Sequence, residues 1–265
     1  NHSEGVCHLE QYFQKCRDRG IKVHIIPLPK KNCPLIIVRK FMIDFLKKEK
    51  LQKIVFTDTD DYFSQKRFEK SFQALEESGV VFNDLIPFNS KTKEEFPSMF
   101  SQQPFREVCF KDLLDKNLLG YSHLAIQAKQ LENIFPLKLK NVPQVTDWRF
   151  FGSILSSGVK ATFLPNAPTF YRQYQENTIG LKRSFTSGII KKGLDVKISV
   201  YEYFLEHITI EGLKLSIQEK LKETIELKNH LKSENKMEKY LEKINLIAKK
   251  RVFFWWEFIN PEYKS

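Results

Sequence analysis

Short apolar segments alternate with amphipathic segments over the first 180 residues or so, and this alternation most restricts the possible folds. Four segments have the short, β-branched or aromatic character of buried strands: Ile21–Ile26, Lys53–Thr57, Val80–Phe88 and Val159–Leu164. Three others have helical length or helical apolar spacing: Leu35–Lys50, Phe68–Leu75 and Asp147–Ser157. Strand–helix alternation predicts an α/β fold in which helices flank a mostly parallel sheet.

The pattern becomes helical after about residue 180. The stretch from Val196 to Ala248 contains no proline and a single glycine, and its leucines and isoleucines recur at helical spacing. We therefore expect two regions, an α/β domain over residues 1–180 and a helical extension over 181–265. Apolar stripes of this kind favour packing onto the first domain or onto a second copy of the chain, which would make a homo-oligomer.

Composition narrows the possible partners. The chain of 265 residues has a net charge of +11, and a basic surface attracts the phosphates of nucleotides, nucleic acids or lipid headgroups. A recognised nucleic-acid-binding motif is absent, so we expect no nucleic acid partner. The four cysteines form no C-x-x-C pair, which predicts free thiols in a reducing cytoplasm and argues against a zinc site.

A cluster of cations and aromatic residues near the end of the chain has a second interpretation. Residues 249–259 read KKRVFFWWEFI. Lysine and arginine are attracted to anionic lipids, and tryptophan rings favour the headgroup level. The segment could therefore rest on the inner face of a membrane as a peripheral contact, although no apolar run approaches the length of a membrane-spanning helix.

The sharpest local signal is an acidic cluster after an apolar strand. In the segment IVFTDTDDYFS, the strand residues run directly into Asp58, Asp60 and Asp61. Three neighbouring carboxylates repel one another unless a cation lies between them, and hard oxygen ligands suit Mg²⁺ or Mn²⁺. Ligands of α/β sheets bind beyond the carboxyl ends of strands, so the position also fits. The alternative is a solvated acidic turn.

Other polar residues each have a structural and a functional interpretation. Asp147 begins a predicted helix and is either a helix N-cap or a general base. Arg172 follows a short strand and either contacts phosphate or forms a surface ion pair. His123 is either structural or part of a binding site. Asp84 either belongs to a strand-end turn or lies near a ligand.

Residues 1–180 resemble the second and larger part of a family-2 glycosyltransferase with the GT-A fold. Four segments carry the resemblance, in the family's order: PLIIVRKFMIDFL, IVFTDTDDYF with its D-x-D motif, TDWRFFGSILSSGVKATFLP and YRQYQENTIG. The usual Arg-Asn pair of the first segment is Arg39-Lys40 here. The family's opening nucleotide-binding strand is not found in the sequence, and the similarity begins at residues 1–4 with the tail of the acidic turn that follows it.

The resemblance implies an activity and assigns roles. It implies transfer of a sugar, with inversion, from a nucleotide-sugar donor to a hydroxyl of a glycan or lipid-linked acceptor in bacterial polysaccharide synthesis, with Mn²⁺ or Mg²⁺ as cofactor. Asp147 corresponds to the catalytic base, and Gly120–His123 would line the acceptor side. The implied donor-binding residues are Arg39, Asp58, Asp60 and Arg172, of which Asp60 and Asp58 would hold the metal, Asp60 more directly.

Two other functions stay open. FTDTDDYF also resembles the first motif of haloacid-dehalogenase-like phosphatases, in which Asp58 would be the nucleophile and Asp60 the acid/base, with Tyr62 at the usual Thr or Val position. The second alternative is an inactive scaffold of the same fold whose C-terminal helices bind a partner.

Overall fold

The computed structural model describes residues 10–11, 13–25, 33–101, 106–136, 145–173 and 184–264. The chain divides into two compact units, Asn1–Pro34 and Leu35–Ser265. In the first, residues 13–18 are helical and residues 21–25 have no regular structure, so the strand predicted at Ile21–Ile26 is wrong over its described part. Residues 1–4, residues 174–180 of YRQYQENTIG and the boundary expected at 180 lie outside the described residues.

The larger unit is built on a mixed sheet. Its strands are β1 (Lys53–Val55), β2 (Tyr62–Phe63), β3 (Val80–Asn89), β4 (Glu107–Val108), β5 (Leu124–Gln127) and β6 (Ala161–Gln173). They are ordered β1-β5-β3-β6-β2, and β4 also pairs with β6. Among the described strands, only β3 and β6 pair in parallel, so the expected mostly parallel sheet is wrong.

The error has a local cause. Strand β5 inserts between β1 and β3 and runs antiparallel to both. It spans only four residues, LAIQ, between 3-10 turns. Nothing in so short a segment indicates its direction, whereas the strand–helix alternation around it favours parallel connections. β1, which the sequence placed in a parallel pairing, therefore pairs antiparallel with β5 instead.

In the described part of the larger unit, six α-helices flank or follow the sheet. They are α1 (Leu35–Lys48), α2 (Arg67–Ala74), α3 (Thr146–Ser156), α4 (Ser187–His207), α5 (Glu211–His230) and α6 (Glu234–Ala248). The predicted helices at Leu35–Lys50 and Asp147–Ser157 are confirmed to within two residues, and so is the helical character of the C-terminal region. The mixed α/β class is confirmed as well.

Helix α2 buries a different face from the one its apolar residues suggest. Phe68 and Phe72 are exposed, whereas Arg67 and Ser71 are buried. The Arg67 guanidinium can be buried in the core because two buried oxygen atoms accept its hydrogen bonds there. Its Nε donates to Asn83 Oδ1 at 2.8 Å, and its NH2 donates to the carbonyl of Phe56 at 2.6 Å.

One hydrophobic core joins the sheet to the C-terminal helices. The ring centroids of Phe110 and Phe204 lie 5.1 Å apart, and those of Phe100 and Phe254 lie 5.2 Å apart. Most of the aromatic segment after α6 is buried, namely Phe253, Phe254, Trp256 and Phe258. The extension thus packs onto the α/β region, the first of the two arrangements its apolar stripes favoured. In the described parts of the chain, no helix combines the length and apolarity needed to cross a bilayer.

Gly152 allows α3 to approach α4 closely. A Cβ atom at this position would overlap the Phe204 ring, whereas one at Gly212 in α5 would meet nothing within 4 Å. We expect Gly152→Ala to lower the free energy of unfolding by about 1–3 kcal/mol, the usual cost of overpacking. Gly212→Ala should be neutral or stabilising by about 0.5 kcal/mol, because alanine favours helix. Urea unfolding measures both, and equal values would contradict the close approach.

Candidate functional site

A cavity of about 310 Å³ lies in the larger unit and gathers most of the residues that the sequence singled out. Arg39 of α1, Asp58 and Asp60 beyond β1, and Asp147 of α3 all line it. The residues Gly120–His123 line it as well. Charged side chains that lie more than 100 positions apart in the sequence, such as Arg39 and Asp147, therefore line the same cavity.

Asp58 is held by two hydrogen bonds. The Arg39 guanidinium donates from NH2 to Oδ1 at 2.8 Å, and the Ser122 hydroxyl donates to Oδ2 at 2.7 Å. Arg39 also stacks over the ring of Tyr121, with 4.1 Å between its Cζ and the ring centroid. The aromatic ring on one side and the carboxylate on the other fix the position of the cation.

Ser122 also contacts a second carboxylate. Its Oγ lies 2.5 Å from Asp61 Oδ2, and the backbone N–H of Arg172 donates to Asp61 Oδ1 at 3.0 Å. Burial raises the pKa of Asp61 to about 6, against the lowering effect of these hydrogen bonds. A hydroxyl carries a single proton, so Ser122 donates to one of the two carboxylates at a time. Protonated Asp61 would let Ser122 donate to Asp58.

A network of buried hydrogen bonds supports the backbone at Ser122. Besides the bond that it accepts from Arg67, Asn83 donates from Nδ2 to Thr169 Oγ1 at 2.9 Å, and Thr169 donates to the carbonyl of Ser122 at 3.1 Å. Burial lowers the pKa of Arg67 to about 10, while the charges of Asp61 and Asp58 oppose that shift. Arg67 therefore stays cationic at neutral pH and partly offsets the neighbouring carboxylates.

Asp147 is half-buried, whereas every other residue of α3 is buried. It is the second residue of the helix, which Val145 precedes, so it is not the N-cap. Its Oδ1 accepts the backbone N–H of Trp148 at 2.9 Å, which satisfies one unpaired donor of the first turn. Desolvation raises the pKa of Asp147 to about 6, although the Trp148 N–H, the charge of Arg39 and the nearby Asn117 side chain lower it. A carboxylate with this pKa can accept a proton at neutral pH.

The C-terminal segment completes the cavity. Trp255 and Trp256 line it together with Tyr171 of β6 and Asn117. The backbone N–H of Asn117 donates to the carbonyl of Trp255 at 3.0 Å, in an isolated antiparallel bridge. The segment that the sequence suggested for a membrane surface thus places its two tryptophans at the cavity.

The structure leaves three of the sequence candidates away from the cavity or in structural roles. The Arg172 guanidinium lies over the Tyr62 ring at 5.1 Å and is not among the cavity-lining groups. Asp84 accepts the backbone N–H groups of Phe100 and Ser101 at 2.9 and 3.1 Å, so it anchors that loop. Burial lowers the pKa of His123 to about 4, and its Nε2 lies 3.1 Å from the carbonyl of Leu118, as in a neutral structural histidine.

The carboxylates suit a divalent cation held jointly with a ligand. Within the ranges that the structure describes, no three His, Cys, Asp or Glu side chains converge as a complete protein-only metal site. Mg²⁺ in phosphate-transfer sites is commonly held by one or two carboxylates, and substrate phosphates complete its coordination. Asp58 and Asp60 provide two such carboxylates at the cavity, with Arg39 beside them.

Comparison with known proteins adds no assignment: no protein-family model matches the sequence, and no curated protein matches it significantly.

Sequence reasoning missed the residues that connect these parts. Ser122 was expected on the acceptor side, yet it also hydrogen-bonds both Asp58 and Asp61. Asn117 and Trp256 were not singled out for the site. The pairing of Asn117 with Trp255 joins chain segments more than 130 residues apart, and no periodicity or spacing reports such a contact. The one available signal was the density of aromatic residues near the C-terminus, which fits a cavity wall as well as a membrane contact.

Proposed function

We propose that this protein is a glycosyltransferase that moves a sugar, with inversion, from a nucleotide-sugar donor to a hydroxyl of a glycan or lipid-linked acceptor. One observation carries the proposal. A single cavity is lined by the Arg39 guanidinium, by two carboxylates suited to a metal and by a third carboxylate, that of Asp147. Burial raises the pKa of Asp147 to about 6. Glycosyl transfer needs these functions together, because it must stabilise a departing diphosphate and deprotonate a hydroxyl.

The proposed roles follow from the positions. Asp60 and Asp58 would hold Mn²⁺ or Mg²⁺, which neutralises charge on the donor's diphosphate when it is bound. Arg39 adds positive charge at the same end of the site. Asp147 accepts the proton of the acceptor hydroxyl as its oxygen bonds to the anomeric carbon and the bond to the diphosphate breaks. The products are the glycosylated acceptor and a nucleoside diphosphate.

A ligand screen tests the proposal directly. Ligand binding to the folded state raises the free energy of unfolding, and with it the melting temperature, by mass action. The stabilisation is about 2.7 kcal/mol when the ligand concentration is 100 times the dissociation constant. Sugars of UDP, GDP and dTDP are compared with and without Mn²⁺, using the full chain. A rise in Tm with one class of donor, enhanced by the metal, is expected. If every donor leaves the Tm unchanged, the glycosyltransferase proposal is wrong.

The other candidate functions are outcomes of the same set of assays. Hydrolysis of p-nitrophenyl phosphate that disappears in Asp58→Asn would favour the phosphatase. Self-association without donor turnover would favour a scaffold. Peripheral membrane contact stays part of the proposal for residues 249–259, and the exposed Lys249, Lys250 and Arg251 would provide it, because most of the aromatic side chains there are buried.

The raised pKa of Asp147 predicts the pH dependence of transfer. A general base works in its deprotonated form, so the rate should fall as the pH decreases through about 6. Because burial also raises the pKa of Asp61 to about 6, Asp61→Asn is the matched control. The acidic limb of the profile of kcat/KM, which reports groups of the free enzyme, should persist in that variant. A limb that vanishes in Asp61→Asn would assign the titration to Asp61 instead.

A further inference from the structure

The residues that line the cavity fall into two chemical groups. Arg39, Asp58 and Asp60 are ionic. Tyr171, Trp255 and Trp256 are aromatic and uncharged, and Asn117 adds an amide. We call the four residues Asn117, Tyr171, Trp255 and Trp256 the aromatic wall. A diphosphate needs the ionic residues, whereas the aromatic wall suits a ligand without charge.

The aromatic wall adjoins the proposed base. Asn117 and Asp147 both line the cavity, and the Asn117 side chain is close enough to Asp147 to lower the pKa of that carboxyl. The backbone N–H of Asn117 donates to the carbonyl of Trp255 at 3.0 Å. Whatever lies against this wall is therefore next to the carboxylate that takes up a proton. In a transfer reaction, the molecule beside the base is the acceptor.

The groups on the wall indicate the chemistry of its ligand. Tyr171 and Trp255 are only half-buried, and their rings form an edge-to-face pair with centroids 5.8 Å apart. Such a pair offers an apolar face to a ligand. Trp256 is 4 % exposed, and its indole N–H has no hydrogen-bond partner among the described residues. The same is true of the Asn117 side-chain oxygen, so a donor and an acceptor are both left to be satisfied.

The backbone at Trp256 is consistent with a binding role. Its φ of 66° places a bulky residue in the left-handed region, which side chains of this size rarely adopt. Such conformations persist where the surroundings enforce them, and they cluster at binding sites. Here the turn is fixed by Glu257, whose carboxylate accepts the backbone N–H of Phe254 at 2.9 Å and the Arg251 guanidinium at 3.0 Å.

From these observations we infer that the aromatic wall is the acceptor subsite and that it binds an uncharged pyranose ring. A pyranose has apolar C–H faces that can lie on aromatic rings and a rim of hydroxyls that can pair with an indole N–H and an amide oxygen. A lipid chain would leave those two polar groups unsatisfied, and a phosphate would find no cation on the wall. The inference rests on the proposed function, since it identifies the second substrate of the same site.

The three tryptophans of the chain allow a direct test. Trp148 is an internal control, because it is buried in α3 and its indole N–H already donates to the carbonyl of Leu113 at 2.8 Å. The full chain is labelled with ¹⁵N-tryptophan and titrated with methyl glycosides of glucose, galactose, mannose and N-acetylglucosamine. The titration is repeated with UDP and GDP in the presence of Mn²⁺. At least one glycoside should shift the indole signals of Trp255 and Trp256 in a saturable manner, while that of Trp148 stays in place.

Variants of the half-buried Trp255 test the contact quantitatively. Trp255→Ala keeps the backbone bond to Asn117, and it should weaken glycoside binding about tenfold by removing the ring. Trp255→Phe keeps an aromatic face and should stay within about threefold of the wild type. Both variants should keep the metal-dependent rise in Tm with nucleotide. The wild-type titration decides the question even if Trp255→Ala fails to fold.

Each contrary result has a distinct meaning. If no glycoside moves the Trp255 and Trp256 signals up to its solubility limit, the subsite inference is overturned. The proposed function then still stands if nucleotide and Mn²⁺ raise the Tm. Shifts caused by a short prenyl phosphate and not by glycosides would overturn the inference in favour of a lipid. Glycoside shifts without any nucleotide binding would support the subsite and contradict the donor half of the proposed function.

Discussion

Replacing Asp147 with asparagine should lower the transfer rate by a factor of about 10² to 10⁴, the usual contribution of a positioned general base. Asparagine has nearly the same shape, and its side-chain oxygen can still accept the Trp148 N–H that Asp147 accepts at 2.9 Å. Donor binding should therefore survive. The expected signature is a loss of kcat with an unchanged donor-induced rise in Tm.

Stability separates this effect from misfolding. Burial raises the pKa of Asp147 from 3.8 to about 6, so folding favours the protonated carboxyl. That contribution is fully present below pH 4 or so and is lost as the pH rises through about 6. At pH 8 the variant, which has no charge to bury, should be at least as stable as the wild type. A large drop in Tm at pH 8, or an undiminished kcat, would argue against the assigned role.

Replacing Asp60 with asparagine should remove most of the metal-dependent part of donor binding. Asp60 lines the cavity beside Asp58, and a carboxylate ligand to a hard cation contributes charge that an amide cannot. We expect the affinity for the nucleotide sugar in Mn²⁺ to fall about 100-fold, in the range of losses seen when metal sites are disturbed. Isothermal titration with and without Mn²⁺ measures both the total affinity and the metal-dependent part.

Asp44→Asn is the matched control for Asp60→Asn. Asp44 lies on α1 near the site but forms its ion pair with Lys40, and its side chain is 47 % exposed. Loss of an exposed pair of this kind has an effect of about 1 kcal/mol or less on stability. Donor binding should be unchanged. If both substitutions weaken binding equally, the effect would reflect general electrostatics, and Asp60 would have no specific role as a ligand.

The sequence predicted the parts of the fold that local patterns encode. Leu35–Lys48 and Thr146–Ser156 have the length and apolar content of helices, and Val80–Asn89 is a long apolar strand, so their existence and type are confirmed. Pairing partners were not encoded in this way. Strand β5 has four residues, and its antiparallel insertion between β1 and β3 depends on contacts that no local pattern contains.

The same division applies to the site. Asp58 and Asp60 follow a strand, and the carboxyl end of a strand is a position where α/β folds place ligands, so the pattern pointed to them. Asp147 and Arg39 entered through the resemblance, and the structure places both at the same cavity. For Trp255 and Trp256, the neighbouring lysines and arginine suggested a contact with a membrane surface. The structure instead places both at the cavity, and Trp255 pairs there with Asn117, a long-range contact that composition cannot report.

The bridge between Asn117 and Trp255 has a consequence for biosynthesis. Chains leave the ribosome from the N-terminus, and earlier parts can begin to fold before later parts emerge. Arg39, Asp58 and Asp147 are all translated well before Trp256. The nascent chain can thus bring Arg39, Asp58 and Asp147 together first, whereas Trp255 and Trp256 join the cavity only after they have been translated. A chain truncated before Trp255 would retain its acidic cluster but lack the two tryptophans of the aromatic wall.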